Sequence, residues 1–351
     1  MAQPLDIDVE RMKAFLIELL NTPSPTGFTD TAMGVVERAL ADLPLESRRT
    51  EKGALVATWA GRSASAPRAL TAHVDTLGAM VKEVKDSGRL KLTRIGGYAW
   101  NTIEGEGCTV FTGSGRTVRG SVLVTKASSH VHGAETGDTK RDEATIEVRL
   151  DERVTSADET RALGIAVGDY VVLDPRVEAG PAGFIRSRHL DDKACVAAVL
   201  GAAWAMQAAG VQPAQRTTLH FSNYEEVGHG AAAGIPADVV ELVTVDMAAI
   251  GPGQTSDEFT ATICAKDSGG PYDLSLRRRL TDLAERAGMR YKIDIYPYYG
   301  SDGEAFMRAG GDVRVALVGP GVDASHNYER THVDAVMGTA QLLAEYLRND
   351  E

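Results

Sequence analysis

The stretch HFSNYEEVGHGAAAG, His220–Gly234, begins apolar and ends in two adjacent carboxylates, Glu225 and Glu226, with Gly228 close behind. The apolar half has the length and flanking signals of a buried strand. Adjacent residues on a strand point to opposite faces, so two acids at its end address different targets. Outward in both directions, strand-like and helix-like segments alternate. An Ala-rich helical segment, Ala194–Gly210, precedes it, amphipathic and long enough to be buried. After it come a strand in DVVELVTVDMAA, a helix in YDLSLRRRLTDLAERAG, strands in YKIDIYP and VRVALVGPG, and a helix over 335–347. This alternation predicts an α/β fold, a central sheet with helices on both faces.

The N-terminal part fits the same layer. Met1–Leu20 reads as an amphipathic helix with Leu16, Leu19 and Leu20 on one face, and Thr31–Leu43 is again helical. ALVATWAG and RALTAHVD read as strands, joined by a short flexible turn at Gly61–Pro67. From Gly78 the texture changes to short strands between Gly and Ser turns, which indicates a small all-β unit. The expected organisation is a discontinuous α/β domain, 1–77 and 187–351, interrupted by a β insert, 78–186.

A net charge of −12 argues against nucleic acid or an anionic membrane as partner. Acidic residues stand where a signal peptide would be basic, and no apolar run reaches the roughly 18 residues of a spanning helix. The three cysteines, Cys108, Cys195 and Cys264, are scattered, as expected of structural thiols in a reducing, cytoplasmic compartment.

The acids and histidines gather at predicted strand ends. TAHVD offers His73 and Asp75, which share a strand face, so Asp75 can orient the imidazole. Asp191 and Asp192 precede the Ala-rich helix, where capping alone would explain them. Glu225 and Glu226 are harder to explain structurally, because carboxylates there risk burial without partners. Asp246 ends a Val-rich strand, and His326 and His332 lie in a loop before the last helix. Ligands bind outside the carboxyl ends of strands in open α/β sheets. Two histidines with several carboxylates suit Zn2+, Co2+ or Mn2+, and exceed what one tetrahedral ion needs. Two cations sharing a carboxylate would account for the surplus and would lower the pKa of a bound water. The HxH pair His130 and His132, and His189, His220 and His229, have ordinary structural explanations. So does the arginine run Arg277–Arg279, as a solvated helix face.

The order HxD, LDD, EE-x-G, VD and a late His resembles the TET, or tetrahedral, dinuclear metallo-aminopeptidases, which include deblocking and glutamyl aminopeptidases. TPSPTG, AHVDTLGAMV, RIGGYAW, RGSVLV, EEVGHGAAAG, VDMA and YGSDGEAF carry the likeness along nearly the whole chain. The resemblance implies a zinc-peptidase-like fold and two divalent cations, Zn2+ or Co2+ with Mn2+ as a further candidate. It implies His73, Asp191 (bridging), Glu226, Asp246 and His326 as metal ligands, and Asp75 behind His73. Glu225 would be the general base for a metal-bound hydroxide attacking the first peptide bond. His332 stays the alternative to His326, and Asp302 matches a motif of supporting role. The substrates would be short peptides. The insert would serve association and gating in a dimer-based homo-oligomer, often a dodecamer in that family. Two rival readings stand beside it: a metal-dependent amidohydrolase or deacylase, and a non-catalytic assembly protein.

Overall fold

The computed structural model describes residues 4–350, which divide into two compact units, 4–75 with 176–350 and 76–175. In the first unit the main sheet runs, edge to edge, through Leu45–Arg49, Leu55–Trp59, Gln215–Ser222, Ser63–His73, Glu241–Val245, Arg314–Val322, Ala261–Lys266 and Tyr291–Ile295. The four central strands, Gln215–Ser222 to Arg314–Val322, are mutually parallel. The flanking pairings with Leu55–Trp59 and Ala261–Lys266 are antiparallel, so the sheet is mixed.

Both faces are buried, and the strand sequences show it by alternation. Leu70 and Ala72, Val243 and Val245, Ala316 and Val318, and Ile263 enter one core. Their neighbours Ala69, Leu242, Val315, Leu317 and Cys264 enter another. β-branched runs such as Leu242–Val245 suit strands enclosed on both sides. Helices Val9–Leu20, Asp30–Leu40, Leu190–Ala208, Leu274–Arg286 and Val333–Arg348 close over the first core. Leu16, Leu19 and Leu20 face inward, as the first helix's periodicity requires. The Ala-rich helix is not amphipathic as expected: it is buried all round from Leu190 to Met206, hence its small residues.

The second unit is a closed antiparallel barrel. Its strands run in the order Gly78–Val84, Leu90–Ile95, Ile146–Leu150, Thr117–Val124, Gly107–Phe111 and Tyr170–Leu173, and the last pairs back onto the first. Alternate Val, Leu and Ile residues fill its interior.

Three local expectations change. The first unit resumes at Arg176, earlier than residue 187, because Phe184–Ser187 pairs with Glu329–His332. The supposed turn at Gly61–Pro67 is mostly strand, since Ser63–His73 is continuous. Arg279 is not solvated: it pairs with the buried Glu241 at 3.0 Å, alongside Arg68 and Arg314.

Candidate metal centre

Parallel strands bring their carboxyl ends to one edge, and the chemistry gathers there. His73 closes its strand, and Asp246 follows Glu241–Val245 directly. Close backbone approach fixes Asp246: a Cβ at Gly319 would lie 1.9 Å from its carbonyl oxygen. Its amide donates to Val318 at 3.0 Å. Asp191 and Asp192 open the buried helix with non-helical dihedrals (φ −75°, ψ 107° and φ −117°, ψ 22°), so their side chains enter the site. His326 lies in the loop before Glu329–His332 with φ 62°.

Asp191 stands between the two imidazoles. Its Oδ1 is 3.2 Å from His73 Nε2 and its Oδ2 is 3.3 Å from His326 Nε2. Two donor groups result, each with all its ligand atoms within 4.8 Å of one another: His73, Asp191, Asp192 and Asp246, and Asp191, Glu226 and His326. Asp191 belongs to both. Asp192 Oδ1 and Glu226 Oε1 are buried without a hydrogen-bond partner, which is costly for a carboxylate unless a cation meets it. The donors are imidazole and carboxylate without thiolate, a set that fits a pair of divalent cations such as Zn2+, Co2+ or Mn2+.

Glu225 and Glu226 do not end a strand as the sequence suggested. The strand stops at Ser222, and Glu225–Val227 is a 3-10 turn closed by Gly228 at φ 86°. The two carboxylates still part company. Glu225 Oε2 lies 3.7 Å from His73 Nε2, and Glu226 Oε2 lies 3.7 Å from His326 Nε2.

Asp75 holds this turn. Its oxygens accept from the main-chain N–H of Glu225 at 3.1 Å and of Glu226 at 3.3 Å. Thr26 donates to it at 2.7 Å. The imidazole it was expected to orient meets its main-chain carbonyl instead, at 2.9 Å from His73 Nδ1, with the carboxylate at 3.5 Å. Asp302 accepts from Ser222 Oγ and from Ala231 N, the latter at 2.7 Å, and so fixes the segment after the turn. His332 does not join the site: its Nδ1 accepts from Asp334 N at 3.1 Å and caps the last helix.

Two buried acids were missed. Glu329 accepts from Asp191 N and from His326 N, both at 3.0 Å, and so holds a member of each donor group. A lone acid in SHNYERTH has no periodic signature; its spacing of three from His326 was the available hint. Asp192 was hidden by the capping explanation, yet it accepts from His73 N at 3.1 Å.

Electrostatics agree with cation binding. Burial opposes ionisation of Asp191, but hydrogen bonds from His326 and His73 outweigh it and hold its carboxyl below the ordinary range. Burial lifts Asp192, helped by Asp246, and lifts Asp246, helped by Asp191. Burial, with Asp191 beside it, pushes Glu226 up to about 8. Burial likewise lifts Glu225, against the pull of His73. So many enclosed carboxylates cannot all be charged unless positive charge lies among them.

The M42 glutamyl aminopeptidase family model matches residues 53–342. The chain belongs to the M42 peptidase family. The family member is 47% identical over 341 residues to a putative aminopeptidase, YhfE, of Bacillus subtilis strain 168, covering 97% of this chain and 98% of that one. Its fold is that of a TET aminopeptidase from a marine-sediment thaumarchaeon (TM-score 0.88, 16% identity, 98% of each chain). It also superposes on the Pyrococcus horikoshii TET1 peptidase, which assembles into a tetrahedron or a large octahedral shell (TM-score 0.82, 19% identity, 95% of this chain and 98% of that one). The M42 chain is therefore a peptide hydrolase with a candidate metal centre of histidine and acidic residues. No helix among its described residues is long and apolar enough to cross a membrane.

Proposed function

We propose that this peptidase is an aminopeptidase that uses two divalent cations and removes N-terminal residues from short peptides. The observation that carries the reading is the sharing of Asp191 between two donor groups. His73 and Asp246 would complete one side, His326 and Glu226 the other. When bound, the cations would supply Lewis acidity toward the scissile carbonyl and toward a water.

The chain's own residues do the rest. Glu225 is the base: it takes a proton from the attacking water and returns it to the nitrogen of the departing amine. Its side chain is 15% exposed, open enough to meet a water, and its burial suits a group that cycles between charged and neutral forms. Asp75 keeps Glu225 and Glu226 apart by fixing the amides of both. Glu329 keeps Asp191 and His326 in register. The barrel is assigned to subunit association and to restricting access, in a homo-oligomer. The three free, buried cysteines suit a cytoplasmic protein.

The test pairs metal content per subunit with turnover of aminoacyl-anilides, for wild type and Glu225→Gln. The reading requires about two cations in both proteins and a loss of turnover of several orders of magnitude in the variant. Loss of a cation in the variant would exchange the roles of Glu225 and Glu226. A metal-loaded wild type that cleaves N-acyl amino acids and no free-amine substrate would make the protein a deacylase.

A further inference from the structure

Buried tyrosine hydroxyls in the first unit take partners. That of Tyr272 meets Asp267 and, at 2.8 Å, Ser301. That of Tyr296 meets Ser256 at 2.7 Å, and that of Tyr346 donates to Glu241 at 3.0 Å. Tyr299 departs from them: among the described residues, its hydroxyl is the buried tyrosine oxygen without a hydrogen-bond partner. Burying a hydroxyl unpaired is costly, and a native structure that does so calls for a reason. The rest of the residue is held. Its carbonyl accepts from Ser268 N at 2.9 Å, and its ring packs on that of Tyr296 with 5.3 Å between centres.

That hydroxyl faces the metal centre. The charges that act on it include Asp246, Asp191 and Asp192, three of the four members of the donor group that contains His73. The His73 side chain is 2% exposed and that of His326 is 34% exposed, so this is the inner of the two groups. Toward Asp246 the Tyr299 hydroxyl acts as a donor does, yet it closes no bond of ordinary geometry with it. Asp246 is braced by its own turn instead, where Oδ1 accepts from Met247 N at 2.8 Å. The hydroxyl is therefore close to the inner group and not spent on it.

Donors are scarce at this centre. Ionised carboxylates only accept. Nε2 of each imidazole faces Asp191, and His73 Nδ1 faces the Asp75 carbonyl. A substrate amine finds acceptors in such a site, whereas a carbonyl oxygen gaining negative charge needs a donor. A phenol, whose ordinary pKa is about 10, carries its proton at neutral pH. We infer that Tyr299 is a further catalytic residue, whose hydroxyl donates a hydrogen bond to the scissile carbonyl oxygen as that oxygen becomes negative. The inference deepens the proposed amide hydrolysis and rests on it. As the water oxygen bonds to the carbonyl carbon, the π pair moves onto the carbonyl oxygen and Glu225 takes the water proton. Tyr299 shares its proton with that oxygen and keeps it. The pair then returns, the C–N bond breaks, and Glu225 delivers its proton to the departing nitrogen.

Tyr299→Phe removes the hydroxyl and keeps the ring with its packing, so the fold is spared. In the metal-loaded variant, kcat for aminoacyl-anilides should fall about 100-fold with KM nearly unchanged and metal content equal to wild type. An unchanged kcat overturns the inference. So does a loss carried by KM, or one that excess cation restores, since Tyr299 would then only brace Asp246. Binding gives a second readout. A 1-aminoalkylphosphonate carries tetrahedral oxygens where the matching amino acid carries a planar carboxylate. The variant should lose about 10-fold more affinity for the phosphonate than for the amino acid; equal losses overturn the inference. Wild type that cleaves N-acyl amino acids and no free-amine substrate sinks the aminopeptidase reading alone, and the same kcat comparison on those amides then decides Tyr299. Cleavage of neither class overturns both.

Discussion

Glu329 Oε2 accepts a hydrogen bond from the main-chain N–H of Asp191 at 3.0 Å. Its other oxygen does the same for His326, so one fully buried carboxylate ties Asp191, common to both donor groups, to His326. Glu329→Gln turns an N–H donor toward one of those two N–H groups and breaks that tie. Metal affinity should drop about 10- to 100-fold, with turnover following occupancy. Metal titration of the variant checks this; full affinity with normal turnover would reduce Glu329 to a packing residue.

Asp75 makes a different prediction because it acts on the 3-10 turn. Asp75→Asn leaves one acceptor oxygen for three donors, the amides of Glu225 and Glu226 and the Thr26 hydroxyl. Turnover should fall about 10- to 100-fold with metal content retained, because the proposed base, Glu225, would be displaced while His73 still has the Asp75 carbonyl. Thr26→Ala should show a weaker version, worth about 1 kcal/mol. If Asp75→Asn loses metal in proportion to activity, its main task is at the imidazole instead.

Metal uptake should depend on pH with a defined sign. Burial and Asp191 hold the Glu226 carboxyl near 8 in the metal-free protein, so it is mostly protonated at neutral pH. Binding a cation requires the carboxylate, so affinity should climb as pH rises toward about 8 and protons should be released on binding. Titration calorimetry in buffers of different ionisation heat measures that release. Chelation should abolish turnover and lower the melting temperature, and returning the cation should restore both.

His220 gives a stability test away from the metal ligands. Burial, with help from Lys52, depresses its pKa to about 4, and its Nδ1 faces Thr71 Oγ1 at 2.9 Å. The unfolded chain takes up that proton near pH 6.5. The folded state holds it neutral, so stability is complete above about 6.5 and is lost as pH falls toward about 4. The full loss is roughly 3 kcal/mol, from about 2.5 units at 1.36 kcal/mol each. Denaturant melts at pH 7 and pH 5 for wild type and His220→Gln check it; parallel pH dependence in the two proteins would clear His220.

The layer architecture was legible because alternation and burial leave periodic marks: Leu242 to Val245 and Val315 to Val318 read as strands without any site information. The candidate donors His73, Asp191, Glu226, Asp246 and His326 were named through the motif order of the resemblance, since by residue chemistry alone only the paired Glu225 and Glu226 lacked a cheap structural explanation. What escaped was set by local backbone rather than by period. Glu225 and Glu226 looked like strand residues because nothing before Gly228 announces that the strand stops at Ser222. Asp192 looked like a helix cap, and Glu329 like a loop acid, because hydrogen bonds to distant amides leave no trace in spacing. His326 was already favoured over His332 in the sequence, and the Nδ1 of His332, which accepts from Asp334 N, removes the alternative from the donor groups.

The difference in exposure between the two imidazoles has a kinetic consequence. His73 is buried, while His326 reaches solvent, so cations held by the two donor groups would exchange at different speeds. Under a chelator the loaded protein should empty in two phases, the His326 side first. At limiting cation, a sample would then be mostly half-filled chains with the inner side occupied, and activity would rise late in a titration rather than in proportion to cation added.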